Sequence, residues 1–421
     1  MTIQTAWGET LTVLMNIDPI SDIFILDSAS NGVLNQDYLD GQFPPVDVSA
    51  YVQNIRITRG RQDQLAQFSA GSCSITLLNN DRRFDPTNQS SPYWDSVLVQ
   101  SGVTPRRQVT VKLGDESLFV GRITDIDLSY QAGKNTDISN VIINAADDFV
   151  LLANTALTQN RTPAEELSGA RLTYLLDLPE VNYSGLRNFD TGTATLGAYQ
   201  IDENTNVLAY AQAIAQSEQG FFFVARDGKL TFTDRLSIGF ASSVGSFADE
   251  TGSGVKYQTL SIMYGQEFLY NKVAATREGG AIQTANDVAS QNEYGISTLS
   301  LDGLLLSSDS QAQDLADDLL ALYSEPAYRF DGMTVLVSSF GASDRVICNR
   351  LELGDTVTVE RNYQTGSPTT VTKYQSVERL TRNITPNIHR LEIAMSDAFV
   401  VFPLILDDAV FGVLSTDNAL T

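Results

Sequence analysis

Two runs of alternating residues set the pattern of the chain. Ile55 and Ile57 alternate with polar neighbours until Arg59-Gly60-Arg61 interrupts them, and Gly71, Cys73, Ile75 and Leu77 then alternate with Ser72, Ser74 and Thr76. A period of two turns every second side chain to one face, so this predicts two half-buried strands around a polar loop. From Asn79 to Pro92 the chain becomes rich in Asn, Asp, Pro and Ser, with Phe84, Tyr93 and Trp94 as aromatic anchors. Turn formers at that density oppose a strand, while large rings oppose a free linker.

The same period continues on either side. A short strand is predicted around Leu11, Val13 and Met15, followed by an extended strap that ends at Pro44-Pro45. Strands are predicted over 52–58, 71–78, 107–113, 118–130 and 138–145, with breaks at Gly114–Ser117 and Gln131–Asn135. Thr162-Pro163-Ala164-Glu165 has the form of a capping box opening a helix. A stronger helix is predicted over 205–217, where Val207, Leu208, Ala211, Ile214 and Ala215 share one face. FFFVARDGKLTFTDR then reads as a hairpin, with Asp227-Gly228 supplying positive φ for a tight primed turn. Residues 279–303 are weakly patterned and suggest a surface insertion. Ser310 opens another helix, with Ala312, Leu315, Ala316, Leu319, Leu320 and Tyr323 on one face and Pro326 as its stop. Strands are expected over 328–338, 355–360, 369–380 and 389–395.

Taken together, the pattern predicts a mainly β fold with α+β insertions: two small antiparallel β-barrel-like domains flanking a helix-plus-hairpin domain. The expected divisions are an arm over 1–45, a first β domain over 46–150 and a helix-and-hairpin domain over 151–255. A second β domain follows over 256–400, with a helical insertion around 280–326, and then a docking tail over 401–421.

Composition narrows the chemistry. With 421 residues, 43% hydrophobic and 19% charged, the chain can bury sizeable cores. Its formal charge is −24, with 51 acids against 27 Lys and Arg. Affinity for a phosphate backbone needs the opposite sign, so DNA is expected to pass without specific binding. The first twenty residues have neither a basic start nor a continuous apolar run, and no stretch has the length of a membrane span. The chain is therefore expected to be made in the cytoplasm.

The inventory for catalysis is thin. His389 is the one histidine and falls inside a strand pattern; no G-x-S-x-G elbow accompanies it. Cys73 and Cys348 are far apart and show no metal spacing. The pairs Asp147-Asp148, Glu165-Glu166 and Asp317-Asp318 are adjacent in sequence, whereas glycoside cleavage needs two acids on opposite sides of a sugar. Asn79-Asn80-Asp81 and Asp85 lack the glycine and terminal glutamate of a calcium loop. Phosphate-binding glycine patterns are absent from the sequence. No catalytic residue, metal or cofactor is expected.

Several motifs carry a family resemblance. Arg59-Gly60-Arg61, Phe68-Ser69-Ala70-Gly71, Arg83-Phe84-Asp85-Pro86-Thr87-Asn88 and Ser91-Pro92-Tyr93 occur in one order. LFVGRITDIDLSY, VIINAADDFVLLA, the helix-and-hairpin segment NVLAYAQAIAQSEQGFFFVARDGKLTFTDR, LELGDTVTV and ITPNIHRLEIAMSD follow. In these the chain resembles the minor tail proteins of long-tailed bacteriophages, specifically the tail-tip or baseplate hub. The resemblance implies two related β domains per subunit, with three subunits in a pseudo-sixfold ring at the end of the tail tube. It implies partners among the distal tail ring, tape measure and tip or receptor-binding proteins, and a place in the virion. It also implies a channel for the genome, whose lining the net charge would make acidic. The alternatives are another tail component, such as a distal ring or a glycan-binding tip exposing Tyr93-Trp94, and a cell-wall hydrolase.

A repeat stands outside these domains. ILDSASNGVLNQD over 25–37 and ILDDAVFGVLSTD over 405–417 share eight of thirteen positions without a gap. Ile25, Leu26, Asp27, Gly32, Val33 and Leu34 correspond to Ile405, Leu406, Asp407, Gly412, Val413 and Leu414. Each copy has two apolar pairs around a glycine able to bend. Both are expected to act as docking straps, or each to staple the edge of its own domain.

Overall fold

Alternation becomes strand pairing across most of the chain. The computed structural model describes residues 3–18, 45–96, 99–130, 139–239, 242–398, 402–403 and 418–419. Both copies of the repeat, over 25–37 and 405–417, lie outside the described residues. In the first half, Val52–Gly60, Ser69–Leu78, Gln108–Leu113, Glu116–Tyr130 and Ser139–Ala146 form strands close to those predicted. Their inward residues, among them Ile55, Ile57, Cys73, Ile75, Val109, Val111, Val141 and Ile143, make one apolar core. Thr10–Asn16 borders Gln108–Leu113 and adds Leu11, Val13 and Met15 to that core.

The second half repeats this pairing scheme. Thr259–Tyr264, Tyr328–Leu336, Thr356–Asn362, Thr370–Ile384 and His389–Asp397 pair in the same order as their five counterparts in the first half. In each set the first strand pairs with the second, the second with the fifth, the fifth with the fourth and the fourth with the third, all antiparallel. Each fourth strand has 15 residues, and each carries a bulge against the fifth strand at its ninth residue, Thr124 or Glu378. A bulge inserts one residue on one strand and bends it, so both long strands bend at the same place.

The architecture is mainly β and antiparallel, as predicted, but the barrels are not closed. Among the described residues no sheet returns on itself; the two halves instead share one fifteen-stranded sheet. The joint is Val52–Gly60 against Arg379–Ile384, an antiparallel pairing across more than 300 positions of sequence. Local periodicity carries no information about such a partner.

Three local expectations also change. No helix starts at Thr162-Pro163: Glu166–Leu167 pairs with Thr195-Leu196, and the helix begins at Ser168 and runs to Asp177. The backbone there is taken by strand pairing, and the Ala164 carbonyl accepts from the Arg171 guanidinium. Residues 279–303 are built rather than loose. Gln283–Asn286 and Thr298–Leu304 flank Lys272–Arg277, with the helix Val288–Tyr294 between them. Their weak pattern reflects a small sheet with much of one face exposed. A further helix, Ala342–Arg350, was missed because only Cys348 and Asn349 are buried in it, which leaves no apolar stripe to read.

Other helices match closely. Val207–Glu218 is capped by Asn206, whose side chain accepts from the Ala209 N–H at 3.0 Å. Asp309–Tyr323 is capped by Ser308 in the same way. The hairpin Phe221–Val224 to Leu230–Thr233 forms, yet only Gly228 of the Asp227-Gly228 pair takes positive φ, at 87°. The Gly228 N–H donates to Ala225 and the Ala225 N–H to Lys229, so the turn is the three-residue kind with a glycine bulge. Helices, hairpin and second half share a core in which Phe68 is the contribution from the first half.

Candidate functional site

Charged side chains concentrate at the joint between the halves. The Arg59 guanidinium donates to Val224 O at 2.8 Å and to Glu352 Oε1 at 2.5 Å. Arg61 Nε donates to Glu378 Oε2 at 2.5 Å, and its guanidinium lies over the rings of Phe221 and Phe68 at 4.4 and 4.8 Å. Glu378 is the bulged residue of its strand; its second oxygen accepts from the Ser396 hydroxyl at 2.5 Å. Gly60 makes the bulge accessible. Its φ is 116°, and a Cβ there would stand 2.2 Å from the Glu378 carbonyl oxygen. Arg382 faces Ile57 across the joint, and burial pushes its guanidinium down to about 10 while Nη2 donates to Cys348 O at 2.8 Å.

A cleft of about 710 Å³ opens beside this joint. Glu116, at the start of the first half's long strand, accepts from Arg226 at 2.8 Å and Arg350 at 2.7 Å. Glu352 accepts from the Arg226 backbone N–H at 2.7 Å as well as from Arg59. Burial and the neighbouring Glu352 push Asp355 up to about 6, although it accepts from the Glu352 N–H. The cleft thus has its two arginines bound to Glu116, an arrangement that braces strand, hairpin and helix together. These contacts tie the two halves together, and among the described residues lining the cleft no nucleophile stands hydrogen-bonded to a base.

The loop anchors sit apart from the cleft. Phe84 and Tyr93 are buried and stack at 5.6 Å, with Tyr51 edge-on to Phe84, while Trp94 is half-buried. The Phe84 N–H donates to Asn79 Oδ1 at 3.0 Å, closing the loop from inside. Asp85 is pushed up by burial, but the Thr87 hydroxyl and the Arg82 guanidinium outweigh this and hold it well below the usual carboxylate range. A glycan-binding tip would need those rings exposed.

The remaining chemistry-bearing residues are scattered. His389 is buried at the start of the second half's fifth strand, its ring 5.7 Å from that of Trp7, and burial together with Arg382 pushes it well below 6.5. Cys73 and Cys348 are buried and unpaired with each other. Burial pushes Asp147 up to about 7 even though it accepts the Gly71 N–H at 2.6 Å and the Phe149 N–H at 3.1 Å. Among the described residues no three His, Cys, Asp or Glu side chains gather as metal ligands. Nor is any described helix long and apolar enough to cross a membrane.

Sequence reasoning marked Arg59-Gly60-Arg61 as an interruption and as a family motif, and gave no role to Glu352 or Glu378. No simple signal marked Glu378 or Arg382: residues 377–384 mix Val377, Leu380 and Ile384 with five polar residues, so the burial of Glu378 and Arg382 follows from the joint and not from the strand's own pattern.

No protein-family model matches the chain, and no curated protein matches its sequence. Solved structures do. The fold is similar to a tail protein from Neisseria meningitidis at a TM-score of 0.60, with 10% identity over 92% of this chain and 96% of that one. It is also similar to the 43 kDa tail protein of prophage MuSo2 from Shewanella oneidensis at a TM-score of 0.55, with 11% identity over 93% and 97%. At that identity the likeness is one of fold, and it spans nearly the whole length of both proteins: the chain has the fold of these two tail proteins, one of them from a prophage.

Proposed function

We propose that the protein is a structural subunit of the hub ring at the distal end of a phage tail, a homotrimer that joins the tube to the tip. The observation that carries this reading is the repeated five-strand sheet joined edge to edge through Val52–Gly60 and Arg379–Ile384. Two equivalent sheets per chain allow three chains to present six equivalent faces to a sixfold tube. The fold likeness to two tail proteins, one of them from a prophage, supports the same role. The charge of −24 suits a channel through which DNA slides without adhering.

On this reading the chain divides into an arm (1–45), a first β domain (46–150), a helix-and-hairpin domain (151–255), a second β domain (256–400) and a tail (401–421). The distal tail ring, tape measure and tip proteins are its neighbours, and the straps at 25–37 and 405–417 dock on them or on the two domains. Electron microscopy of the purified protein tests the assembly: a closed ring of three chains is expected, and a sixfold ring of six chains in assembled tails overturns it. Deleting residues 403–421 tests the straps. A folded trimer that fails to join its neighbour is expected; full assembly into tails, or loss of the fold, overturns that role.

A further inference from the structure

The repeated sheet leaves two edges open, and each is the counterpart of an edge that the chain closes on itself. In the second half, the long strand Thr370–Ile384 has one side covered by His389–Asp397. Its other side is shared: Thr370–Ser376 pairs with Thr356–Asn362, and Arg379–Ile384 pairs with Val52–Gly60. In the first half, Glu116–Tyr130 has one side covered by Ser139–Ala146, and residues 116–122 of its other side are covered by Gln108–Leu113. Among the described residues nothing pairs with that side of the strand from Asp125 to Tyr130. The counterpart of Val52–Gly60 is Thr259–Tyr264, which pairs with Tyr328–Leu336 and has its second side open among the described residues.

The ladders set the correspondence residue by residue. Ile55 faces Ile75, which faces Ile143; Leu260 faces Met333, which faces Ile393. Ile143 and Ile393 in turn face Ile126 and Leu380. Leu260 therefore corresponds to Ile55, Ile262 to Ile57 and Gly265 to Gly60, while Leu128 corresponds to Arg382 and Tyr130 to Ile384. Within the chain, Ile57 faces Arg382 and Ile55 faces Ile384. We infer that a second copy of this chain adds its Thr259–Tyr264 strand to the open half of Glu116–Tyr130, antiparallel, with Ile262 facing Leu128 and Leu260 facing Tyr130.

Side chains at the two open edges fit this pairing. Tyr264, Tyr130 and Leu128 are 71%, 47% and 37% exposed, and Ile126, Leu260 and Ile262 are half-buried. An open edge of a chain that remained alone would be guarded by Lys or Pro; TLSIMY carries neither. Gly60 is needed because a Cβ there would collide with the backbone of the Glu378 bulge, and Gly265 stands at the matching position, where a Cβ would meet nothing within 4 Å. The space is what the Thr124 bulge of a second copy would fill. Because the two edges differ, the contact is head-to-tail and runs from copy to copy. The pairing stands on the repeated topology; only its closure into a ring rests on the hub reading.

Disulfide trapping with the purified full chain tests it. Directly opposed antiparallel residues have Cα atoms within disulfide range, whereas neighbours in register point to the opposite face. A mixture of Leu128→Cys and Ile262→Cys proteins should give a cross-linked dimer under mild oxidation, at least tenfold more than a mixture of Leu128→Cys and Met263→Cys. The native cysteines are buried and stay silent. Amides of Ser261–Gly265 and Asp127–Tyr130 should also gain hydrogen-exchange protection as protein concentration rises. Equal trapping in both mixtures, no trapping, or a chain monomeric at every concentration overturns the pairing. Closed rings without the Leu128–Ile262 cross-link overturn the pairing and leave the hub reading intact; cross-linked open filaments support the pairing and overturn the hub reading.

Discussion

The two halves of this molecule share strand order, strand length and bulge position, yet they manage the bulge differently. In the first half Thr124 sits at the bulge, and its hydroxyl donates to the Asn144 carbonyl at 3.2 Å near the surface. In the second half Glu378 sits there, buried, and holds Arg61 of the first half. The difference follows from what lies on the open side of the strand. Where the chain covers its own edge, the bulge is sealed and must satisfy its polar groups inside the protein. Where the edge stays open, a hydroxyl beside water suffices. One backbone scheme thus serves as a permanent joint in one place and an available edge in the other.

The largest difference between the halves is expected at the two matched glycines. Gly60→Ala forces a Cβ into the Glu378 carbonyl at a positive φ, and a loss of about 4 kcal/mol or more is expected in denaturant unfolding. A stable Gly60→Ala protein would mean that the joint is loose. Glu378→Ala should cost about 3 kcal/mol, because it leaves the buried Arg61 charge with no carboxylate, only the Ala66 carbonyl and the faces of Phe68 and Phe221. Thr124→Ala, at the matched bulge, should cost about 1 kcal/mol or less. Similar losses at the two bulges would contradict the contrast drawn above.

The matched residues His389 and Ser139 differ in their response to pH. Both open the fifth strand of their half and both are buried. Ser139 donates its hydroxyl to Asn79 O at 2.6 Å, whereas neither His389 nitrogen has a hydrogen-bond partner among the described residues. His389 stays neutral in the fold well below 6.5, so the unfolded chain takes up its proton first as pH falls. Its contribution is therefore present above pH 6.5 and lost below it. His389→Phe, which keeps a ring against Trp7, should raise stability by about 1 kcal/mol at pH 5. Asp147 and Asp355 act with the opposite sign. Their folded values, about 7 and about 6, lie above the ordinary 3.8, so stability is lost as pH rises from about 4 through those values. In His389→Phe the melting temperature should consequently fall between pH 5 and pH 7; a continued rise would mean that the buried acids are already ionised at pH 5.

The smallest effect is expected at the open edge. Gly265→Ala meets no atom within 4 Å and should change the stability of the isolated chain by less than about 0.5 kcal/mol. A large loss there would mean that the second half's edge is already covered within one chain.

What could be read in advance divides by sequence distance. Strands Val52–Gly60 and Ser69–Leu78 were readable because one face is buried and a one-residue slip would expose it. Helices Val207–Glu218 and Asp309–Tyr323 were readable from their apolar stripes, with caps at Asn206 and Ser308 close to the predicted starts. Residues 279–303 and the helix Ala342–Arg350 were not, because a surface element with little burial keeps no strict period. The loop anchors Phe84 and Tyr93 stood out by being aromatic among turn formers, and burial of both rings gives that oddity its cause.

By itself, the sequence determined most of the strands, the helices Val207–Glu218 and Asp309–Tyr323, and the inward face of most of these. These are local matters, decided by side-chain period and residue type within a few turns of chain. Tertiary structure alone decided that Val52–Gly60 closes on Arg379–Ile384, that Arg59, Arg61, Glu352 and Glu378 meet there, and that Thr259–Tyr264 keeps one side open among the described residues. Backbone hydrogen bonds between strands are the same for every sequence. The choice of partner is therefore made by shape, by buried charge and by the one glycine that lets two backbones approach, and these act only once distant segments have been brought together.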